Sequence, residues 1–236
     1  MKAKRRFNIG LWVLLCVPCL LASCDHDVHD GEEEGGLSVS LTWADKADEG
    51  TEVEDVKLWI FDADKGSMIE EKHYGSTEEV ASQRFQLPEG TYCIQTFSNL
   101  TEPFFISEQT RALTNWNNIL IGLTNPKDVR NNAYFGVTDV KIDNKEGNYV
   151  VQTQKKKVLA ELTIIIENIP KGTEMSGKAL DCAWCLFPTQ KNSDGEYGLP
   201  SIEPTEVELP TLLATESTLK SEVIRLMPTI QGSSSS

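Results

Sequence analysis

Short segments in which apolar and polar residues alternate recur along most of this chain, and they limit its fold more than any other feature. Leu37, Val39, Leu41 and Trp43 alternate with serine and threonine, which is the period of a half-buried β-strand. Further strands are predicted at residues 56–61, 68–74, 84–87, 91–97, 134–135, 137–142, 149–152, 158–167, 180–187 and 221–227. Turn-forming residues separate them. Many short strands joined by turns predict an all-β fold, an antiparallel β-sandwich.

Two segments of the chain depart from the strand pattern. Residues 108–123 are predicted to form a helix, because Leu113, Trp116, Leu120 and Leu123 recur at roughly helical spacing. Residues 188–210, which contain several prolines and glycines, are predicted to form a loop. A domain boundary is expected near residues 143–155, where a polar loop and three consecutive lysines separate two groups of strands. We therefore predict domains at residues 37–150 and 151–236.

The overall charge excludes one large class of partners. The chain has 236 residues, 22 Lys and Arg against 36 Asp and Glu, and a net charge of −14. Phosphate recognition requires a basic surface, so nucleic acid is excluded as a partner.

The first 23 residues have the organisation of a secretory signal peptide. Four basic residues precede an apolar stretch at residues 9–21. Thirteen residues at about 1.5 Å each reach roughly 20 Å, which is too short for a bilayer core of about 30 Å. The segment is therefore predicted to be removed on maturation rather than to span the membrane.

The signal peptide ends in Leu21-Ala22-Ser23-Cys24, which resembles a bacterial lipobox. In such a motif, small residues precede the cysteine that receives the lipid. Cys24 is therefore predicted to be the lipid attachment site. Each buried methylene of an acyl chain contributes about 0.8 kcal/mol, so two or three chains together anchor a protein stably.

The twelve residues after Cys24 include six Asp or Glu and no Lys or Arg. Residues 24–36 are therefore predicted to form a solvated, self-repelling tether. It resembles the export tag of surface lipoproteins in Bacteroides-like bacteria, which implies a location on the outer face of the outer membrane. Removing the signal peptide, with its four basic residues, lowers the net charge from −14 to −18. The predicted export residues are Asp25, Asp27, Asp30, Glu32, Glu33 and Glu34.

No motif in the chain indicates catalysis, a metal site or a cofactor. Cys182 and Cys185 have CxxC spacing but lie in a strand-like segment, whereas a redox CxxC begins a helix. A zinc site would need a second such pair. The thiols are predicted to be buried and free, or one of them to pair with Cys93. The chain has no Gly-x-Ser-x-Gly motif and no phosphate-binding loop, and His73 is the single histidine beyond the tether. We predict that the protein is not an enzyme.

Four stretches resemble the FimB-type anchor subunits of type V fimbriae, within the fimbrillin group. They are Val56-Lys57-Leu58-Trp59-Ile60-Phe61-Asp62; Leu87-Pro88-Glu89-Gly90-Thr91-Tyr92 running to Asn99-Leu100; Tyr134-Phe135-Gly136; and the segment from Lys156 to Asn168-Ile169-Pro170. The resemblance implies two tandem transthyretin-like β-sandwiches. It also implies assembly with fimbrial stalk subunits by strand donation, in which an extended strand of one subunit completes the sheet of the next.

The resemblance also separates an anchor from a stalk subunit. Stalk subunits of this group lose their first strand through an arginine-specific cut, but this chain has no Arg between Cys24 and Val56. An anchor is therefore favoured over a stalk subunit, and a tip subunit that keeps its lipid only transiently is a further alternative. About 80 residues follow residue 155, fewer than the roughly 100 of a complete sandwich. The second domain is predicted to be incomplete or to be completed by a partner strand. A glycan-binding surface lipoprotein is the alternative function.

Overall fold

The computed structural model of the chain describes residues 35–107, 116–126 and 129–228. Strands β1 to β8 are Gly36–Trp43, Val56–Asp62, Met68–Tyr74, Gly90–Ser98, Phe104–Ile106, Ile121–Leu123, Tyr134–Ile142 and Asn148–Lys157. Strands β9 to β18 are Ala160–Leu162, Ile165–Glu167, Glu174–Met175, Lys178–Ala183, Cys185–Lys191, Tyr197–Pro200, Pro204–Glu208, Leu212–Leu213, Thr218–Lys220 and Ile224–Leu226. One α-helix, α1 (Thr77–Ala81), and two short 3-10 turns, Lys46–Asp48 and Trp116–Asn118, complete these segments. The predicted all-β class is confirmed.

A six-stranded sheet forms the first half of the molecule, in the order β1-β8-β7-β4-β2-β3. The strands predicted at residues 56–61, 68–74 and 91–97 form β2, β3 and β4, and the two predicted at 134–142 are one continuous strand, β7. All neighbours are antiparallel except β1 and β8, which run parallel. The segment predicted as a strand at 84–87 makes only a single bridge, from Phe85 to Leu37.

Both faces of this sheet are covered. An apolar cluster lies on each face, and strand β2 contributes to both. Leu58 and Ile60 belong to one cluster, and Trp59 and Phe61 belong to the other. Alternate side chains of a strand point to opposite faces, so β2 is apolar throughout because both of its faces are buried. Helix α1 covers the first face through Val80. The second face lies against a four-stranded sheet, β14-β13-β6-β5.

The predicted helix at residues 108–123 is wrong for the part that the structure describes. Residues 108–115 lie outside the described residues, Trp116–Asn118 is one 3-10 turn, and Ile121–Leu123 is strand β6. Strand β6 lies between β5 and β13, and Gly122 lies against the ring of Phe105, where a Cβ would be 2.5 Å from Cζ. Pairing on both edges therefore overrides the helical spacing of the apolar residues.

The long strand predicted at residues 158–167 is interrupted. It forms β9 and β10, with a bend at Val158 and Leu159 before them. These two consecutive side chains are both buried in the same cluster, and Val158 N–H donates to Ala133 O at 2.9 Å. A strand cannot bury two successive side chains on one face, so the chain bends there.

The other predictions for the second half of the molecule, residues 158–228, also need correction. Residues 180–187 divide at Trp184 into β12, which pairs with β15, and β13, which pairs with β6 and β14. The predicted loop at 188–210 contains the end of β13 together with β14 and β15, and residues 221–227 keep only β18. The remaining strands form two-stranded ribbons, β9 with β18, β10 with β17, β11 with β16 and β12 with β15.

The four-stranded sheet combines strands from both predicted domains, because β5 and β6 precede residue 150 and β13 and β14 follow it. The division at residue 150 stays a prediction. No helix among the described residues is long and apolar enough to cross a membrane.

Candidate functional site

The predicted attachment residues all lie outside the described residues. These are Cys24 and the tether acids Asp25, Asp27, Asp30, Glu32, Glu33 and Glu34. The structure does describe the element that continues from the tether. Strand β1 begins at Gly36, two residues after Glu34, and is the edge strand of the six-stranded sheet.

Strand β1 pairs in parallel with β8 over its whole length. The register runs from Gly36 opposite Asn148 to Trp43 opposite Lys155, so eight consecutive residues take part. At the start of the strand, Gly36 N–H donates to Gly147 O at 2.9 Å. Gly35 passes so close to Glu146 that a Cβ would lie 2.3 Å from its carbonyl oxygen. The glycine before the strand is therefore required for the tether to enter the sheet at this point.

The free edge of β1 is also held at its beginning. Leu37 and Phe85 exchange both backbone hydrogen bonds, each 2.9 Å long. The Arg84 guanidinium donates to the Ser38 hydroxyl. Leu37 and Val39 are fully buried in the cluster that contains Val80 of α1. The first strand is thus an integral part of the core rather than a loosely attached edge.

An aromatic and lysine cluster fixes the far end of β1. Lys155 Nζ lies 3.6 Å from the centre of the Trp43 ring, which is a cation–π contact. Trp43 also packs edge-on against Tyr134, with ring centres 4.9 Å apart. Lys155 is only 3% exposed, and this burial lowers its pKa to about 8. Ala44 N–H continues the pairing by donating to Lys155 O at 3.0 Å.

A chain of ion pairs connects the turn after β1 to the second half of the molecule. The buried carboxylate of Asp48 contacts Lys157 Nζ at 2.9 Å, and Lys157 also contacts Glu161 at 3.3 Å. Arg225 Nε lies 3.2 Å from Glu161 and donates to Asn132 Oδ1 at 2.8 Å. The hydrogen bond to Asp48 raises the pKa of Lys157, and the hydrogen bond from Asn132 lowers the pKa of Glu161. Both shifts favour the charged, paired forms.

The three cysteines of the described segments, Cys93, Cys182 and Cys185, are buried free thiols. This was one of the two states predicted for them. Burial raises the pKa of Cys93 to about 12 and that of Cys185 to about 11, and it also raises the pKa of Cys182. The nucleophile in thiol chemistry is the thiolate, which these environments disfavour.

The described residues show no group of three or more His, Cys, Asp or Glu side chains placed to hold a metal ion. His73, the histidine beyond the tether, makes a short contact with Asp55 on the surface. This hydrogen-bonded contact lies at the edge of the sheet, on strand β3.

The motifs that carry the family resemblance occupy positions with particular backbone requirements. Asn99 has a positive φ of 56°, and its side chain accepts from Glu54 N–H at 3.1 Å and donates to Glu52 O at 3.0 Å. The hydroxyl of Tyr92 donates to Pro88 O at 2.7 Å. Asn168 also has a positive φ, of 60°. Asparagine tolerates this conformation better than most residues, which accounts for its place in both motifs.

Among the described residues, those after residue 157 include more exposed large apolar side chains than those before it. Among the large apolar side chains that are exposed, Val150 precedes residue 158, and the others follow it: Leu162, Ile165, Leu180, Trp184, Ile202, Leu213 and Val223. Each two-stranded ribbon also has an edge without a partner strand in the described segments. A groove of about 600 Å³ lies between the end of β15 and β18, and Val207, Leu212 and Val223 contribute apolar side chains to it. Strand addition uses exposed edges with side-chain pockets beside them, and this surface has such edges and one groove of mixed polar and apolar lining.

The tryptophans in the described segments do not form an exposed row. Trp59 is buried, Trp43 and Trp116 are half-buried, and Trp184 is 39% exposed. Trp184 is therefore the single exposed indole within these segments that could stack on a sugar ring.

The chain resembles solved structures from bacteria of related genera. It is 14% identical to the fimbrial anchor protein Mfa2 from Porphyromonas gingivalis, covering 84% of this chain and 74% of that one with a TM-score of 0.62. A candidate adhesin from Bacteroides thetaiotaomicron is 12% identical, with coverages of 85% and 72% and a TM-score of 0.56. A candidate polysaccharide-binding protein of that organism is 11% identical, with coverages of 80% and 71% and a TM-score of 0.52. These similarities show the fold.

Among curated protein sequences there is no significant match. A family model does match, over residues 24–200, which is most of the chain and includes all four motifs. The chain therefore belongs to the family of fimbrillin-A associated anchor proteins Mfa1 and Mfa2.

Proposed function

We propose that this chain is the subunit that fastens a fimbria to the outer membrane and limits its length, held there by a lipid on Cys24. The observation that carries the proposal is the extent of the family match, which begins at Cys24, the residue that the lipobox-like motif assigns to the lipid. The family is one of structural fimbrial proteins and associates the chain with other fimbrial subunits at the cell surface. The function proposed is attachment rather than catalysis.

The burial of β1 supports an anchor rather than a stalk subunit. Between Cys24 and Val56 the only basic residue is Lys46, so this segment offers no arginine at which a protease could separate the lipid from the fold. Leu37 and Val39 contribute to the core, and removing β1 would expose them together with the cluster they fill. Lipid, tether and fold are then one covalent unit throughout the life of the fimbria.

Contact with the neighbouring stalk subunit is proposed to occur by strand donation. An incoming extended strand needs an open sheet edge for its main chain and pockets for alternate side chains. The ribbons of the second half offer such edges, and the groove between β15 and β18 offers apolar side chains beside them. The acidic tether, by its resemblance to an export tag, supports a position on the outer face of the membrane.

The Cys24→Ala variant tests the lipid attachment. Without the thiol no acyl chain can be added, so the protein is expected to leave the membrane fraction and appear in the soluble fraction or the medium. Cys19→Ala is the matched control, because Cys19 lies in the same signal segment but is not preceded by two small residues. Membrane partitioning of Cys24→Ala equal to that of the control would contradict the proposal.

A glycan-binding lipoprotein is the second candidate, supported by the exposed Trp184 and by the fold shared with the candidate polysaccharide-binding protein. It predicts that Trp184→Ala abolishes retention on polysaccharide columns while fimbriae remain unchanged. The anchor proposal predicts the opposite pattern, with altered fimbriae on loss of the protein and no effect of Trp184→Ala.

A further inference from the structure

Because β1 and β8 run parallel, the start of β1 and the end of β8 lie at opposite ends of the sheet. The tether enters at Gly36, beside Asn148, and β8 leaves the sheet at Lys157, where it leads directly into the second half. Val158 N–H bonds to Ala133 O, just before β7, and Arg225 of β18 contacts Asn132, so the second half begins at this far end.

We propose that the β1–β8 pair is a mechanical clamp that carries the load between the membrane tether and the rest of the subunit. The inference rests on the proposed attachment through Cys24, which makes β1 the first of the described elements that a pull on the lipid reaches. A pull on Gly36 directed away from Lys157 runs along the strand axis. It therefore loads the hydrogen bonds of eight paired residues together, in shear, rather than opening them one after another.

Contacts at both ends of β1 oppose this sliding. At the tether end, Leu37 is bonded on its second edge to Phe85, and the side chain of Gln86 donates to Gly35 O. At the far end, the Trp43 ring lies between Lys155 and Tyr134, so sliding the strand toward its own start pulls the ring out of this packing. The Asp48–Lys157 ion pair holds the next turn in the same way.

The direction of the load decides how strong this pair is. A pull on the tether against the β7–β8 turn, which lies beside Gly36, would separate β1 from its first residue and break one pair of bonds at a time. A pull against the opposite end of the sheet loads the whole strand. Shear resistance is therefore a specific consequence of the parallel register, and the same contacts resist peeling weakly.

The test is single-molecule pulling on the mature, unlipidated chain in two directions. Cys24 is one handle in both cases, and the buried native thiols Cys93, Cys182 and Cys185 are protected from the coupling chemistry. For shear, the second handle is Thr101→Cys, an exposed position following β4 at the Lys157 end of the sheet. For peeling, it is Lys145→Cys, exposed in the β7–β8 turn at the Gly36 end.

We expect the first rupture in shear to need a several-fold higher force than the first rupture in peeling. In both directions the rupture should release the twenty residues from Gly36 to Asp55, an extension of at most about 70 Å. Equal forces in the two directions, or a first shear event that does not release this segment, would overturn the clamp.

Two variants separate the clamp from general stability. Trp43→Ala should lower the shear force and leave the first peeling force unchanged, since peeling begins at the other end of β1. Trp116→Ala, beside the apolar cluster on the other face of the sheet, which contains no residue of β1, should change neither force although it removes a half-buried aromatic. A Trp116→Ala effect on shear equal to that of Trp43→Ala would overturn the assignment. The measurement uses no lipid, so its failure is distinct from failure of the membrane partitioning of Cys24→Ala.

Discussion

At the scale of single residues, the buried carboxylate of Asp48 depends on one partner. Its side chain is 8% exposed and Lys157 provides the cation that faces it. Lys157→Met should lower the free energy of unfolding by about 1–3 kcal/mol, because a buried charged acceptor is left without its donor. Urea unfolding at pH 7 measures this loss.

The exposed pair Lys65–Asp62 supplies the control for this experiment. Lys65 is 78% exposed, so water screens the pair and Lys65→Met should leave the free energy of unfolding nearly unchanged. Adding Asp48→Asn to Lys157→Met should recover part of the loss, since the unpaired charge is then removed. If Lys157→Met were no more destabilising than Lys65→Met, the Asp48–Lys157 contact would not contribute to the free energy of unfolding, and the prediction would be wrong.

Lys155 gives stability a specific pH dependence. Burial lowers the pKa of Lys155 in the fold to about 8, from its usual value of 10.5 in the unfolded chain. Between these values the unfolded state binds more protons, so this residue makes stability rise with pH; below about pH 8 its charged form is buried at a cost. Lys155→Met should therefore gain stability relative to the wild type at pH 7, and this advantage should shrink between pH 8 and 10.

Urea unfolding of both proteins across that range checks the prediction, and a pH-independent difference would contradict it. The comparison must be made between variants. The raised pKa of Cys93 makes the stability of both proteins fall as the pH rises through 9 to 12, and this common contribution cancels.

The sequence could not assign these lysines individually. Lys155, Lys156 and Lys157 read as a basic run between two groups of strands, yet one is buried against Trp43, one pairs with Glu196 and one with Asp48. Trp43, Glu196 and Asp48 lie 40 or more positions away in the chain, and only Glu161, the second partner of Lys157, is close. The alternation of β8, in which Val151, Thr153 and Lys155 are buried, places Lys155 in the core, but the strand extends beyond the predicted residues 149–152.

At the scale of elements, the sequence predicted strands well where neighbouring strands form one regular sheet. Strands β1 to β4, β7 and β8 follow alternation and turn chemistry, as in the β2–β3 turn, where Asp62 Oδ1 accepts from Asp64 N–H and Lys65 N–H. The prediction failed where a segment changes partners. At Trp184 the chain passes from β12, which pairs with β15, to β13, which pairs with β14 and β6, and the Trp184 N–H donates to Ser201 Oγ instead of to a neighbouring strand. Strand β6 pairs with β5 on one edge and with β13, more than 60 residues later, on the other. Such partner changes leave no periodic trace.

The contact of the β13–β14 hairpin with the six-stranded sheet can be tested at two glycines. Gly195 and Gly198 both have positive φ, 80° and 103°, but only Gly198 is crowded, with an added Cβ 2.5 Å from Phe135 Cζ. Gly195→Ala should cost about 1 kcal/mol from backbone strain alone. Gly198→Ala should cost about 2–4 kcal/mol, because overpacking adds to the strain. Thermal unfolding compares them, and equal losses would contradict close packing of this hairpin on Phe135.

At the scale of the whole molecule, the two halves differ in how completely their strands are paired. The first half has six strands in one sheet with both faces covered, while much of the second consists of two-stranded ribbons with exposed apolar side chains. Ribbons of two strands are marginal alone, so they gain most from an added strand. Two of the four motifs that carry the family resemblance contain an asparagine with positive φ, Asn99 and Asn168, whereas the partner of the open ribbons leaves no local signal.

The anchor function makes a final prediction for the intact cell. A fimbria whose terminal subunit holds it to the membrane and stops its growth should become longer and detach when that subunit is lost. Deleting the gene should therefore move fimbriae from the cell fraction into the medium and increase their mean length in electron micrographs. Returning the wild-type gene should restore both properties, while Cys24→Ala should restore a normal length but leave the fibres detached. Fimbriae of unchanged length and attachment in the deletion strain would favour the glycan-binding function instead.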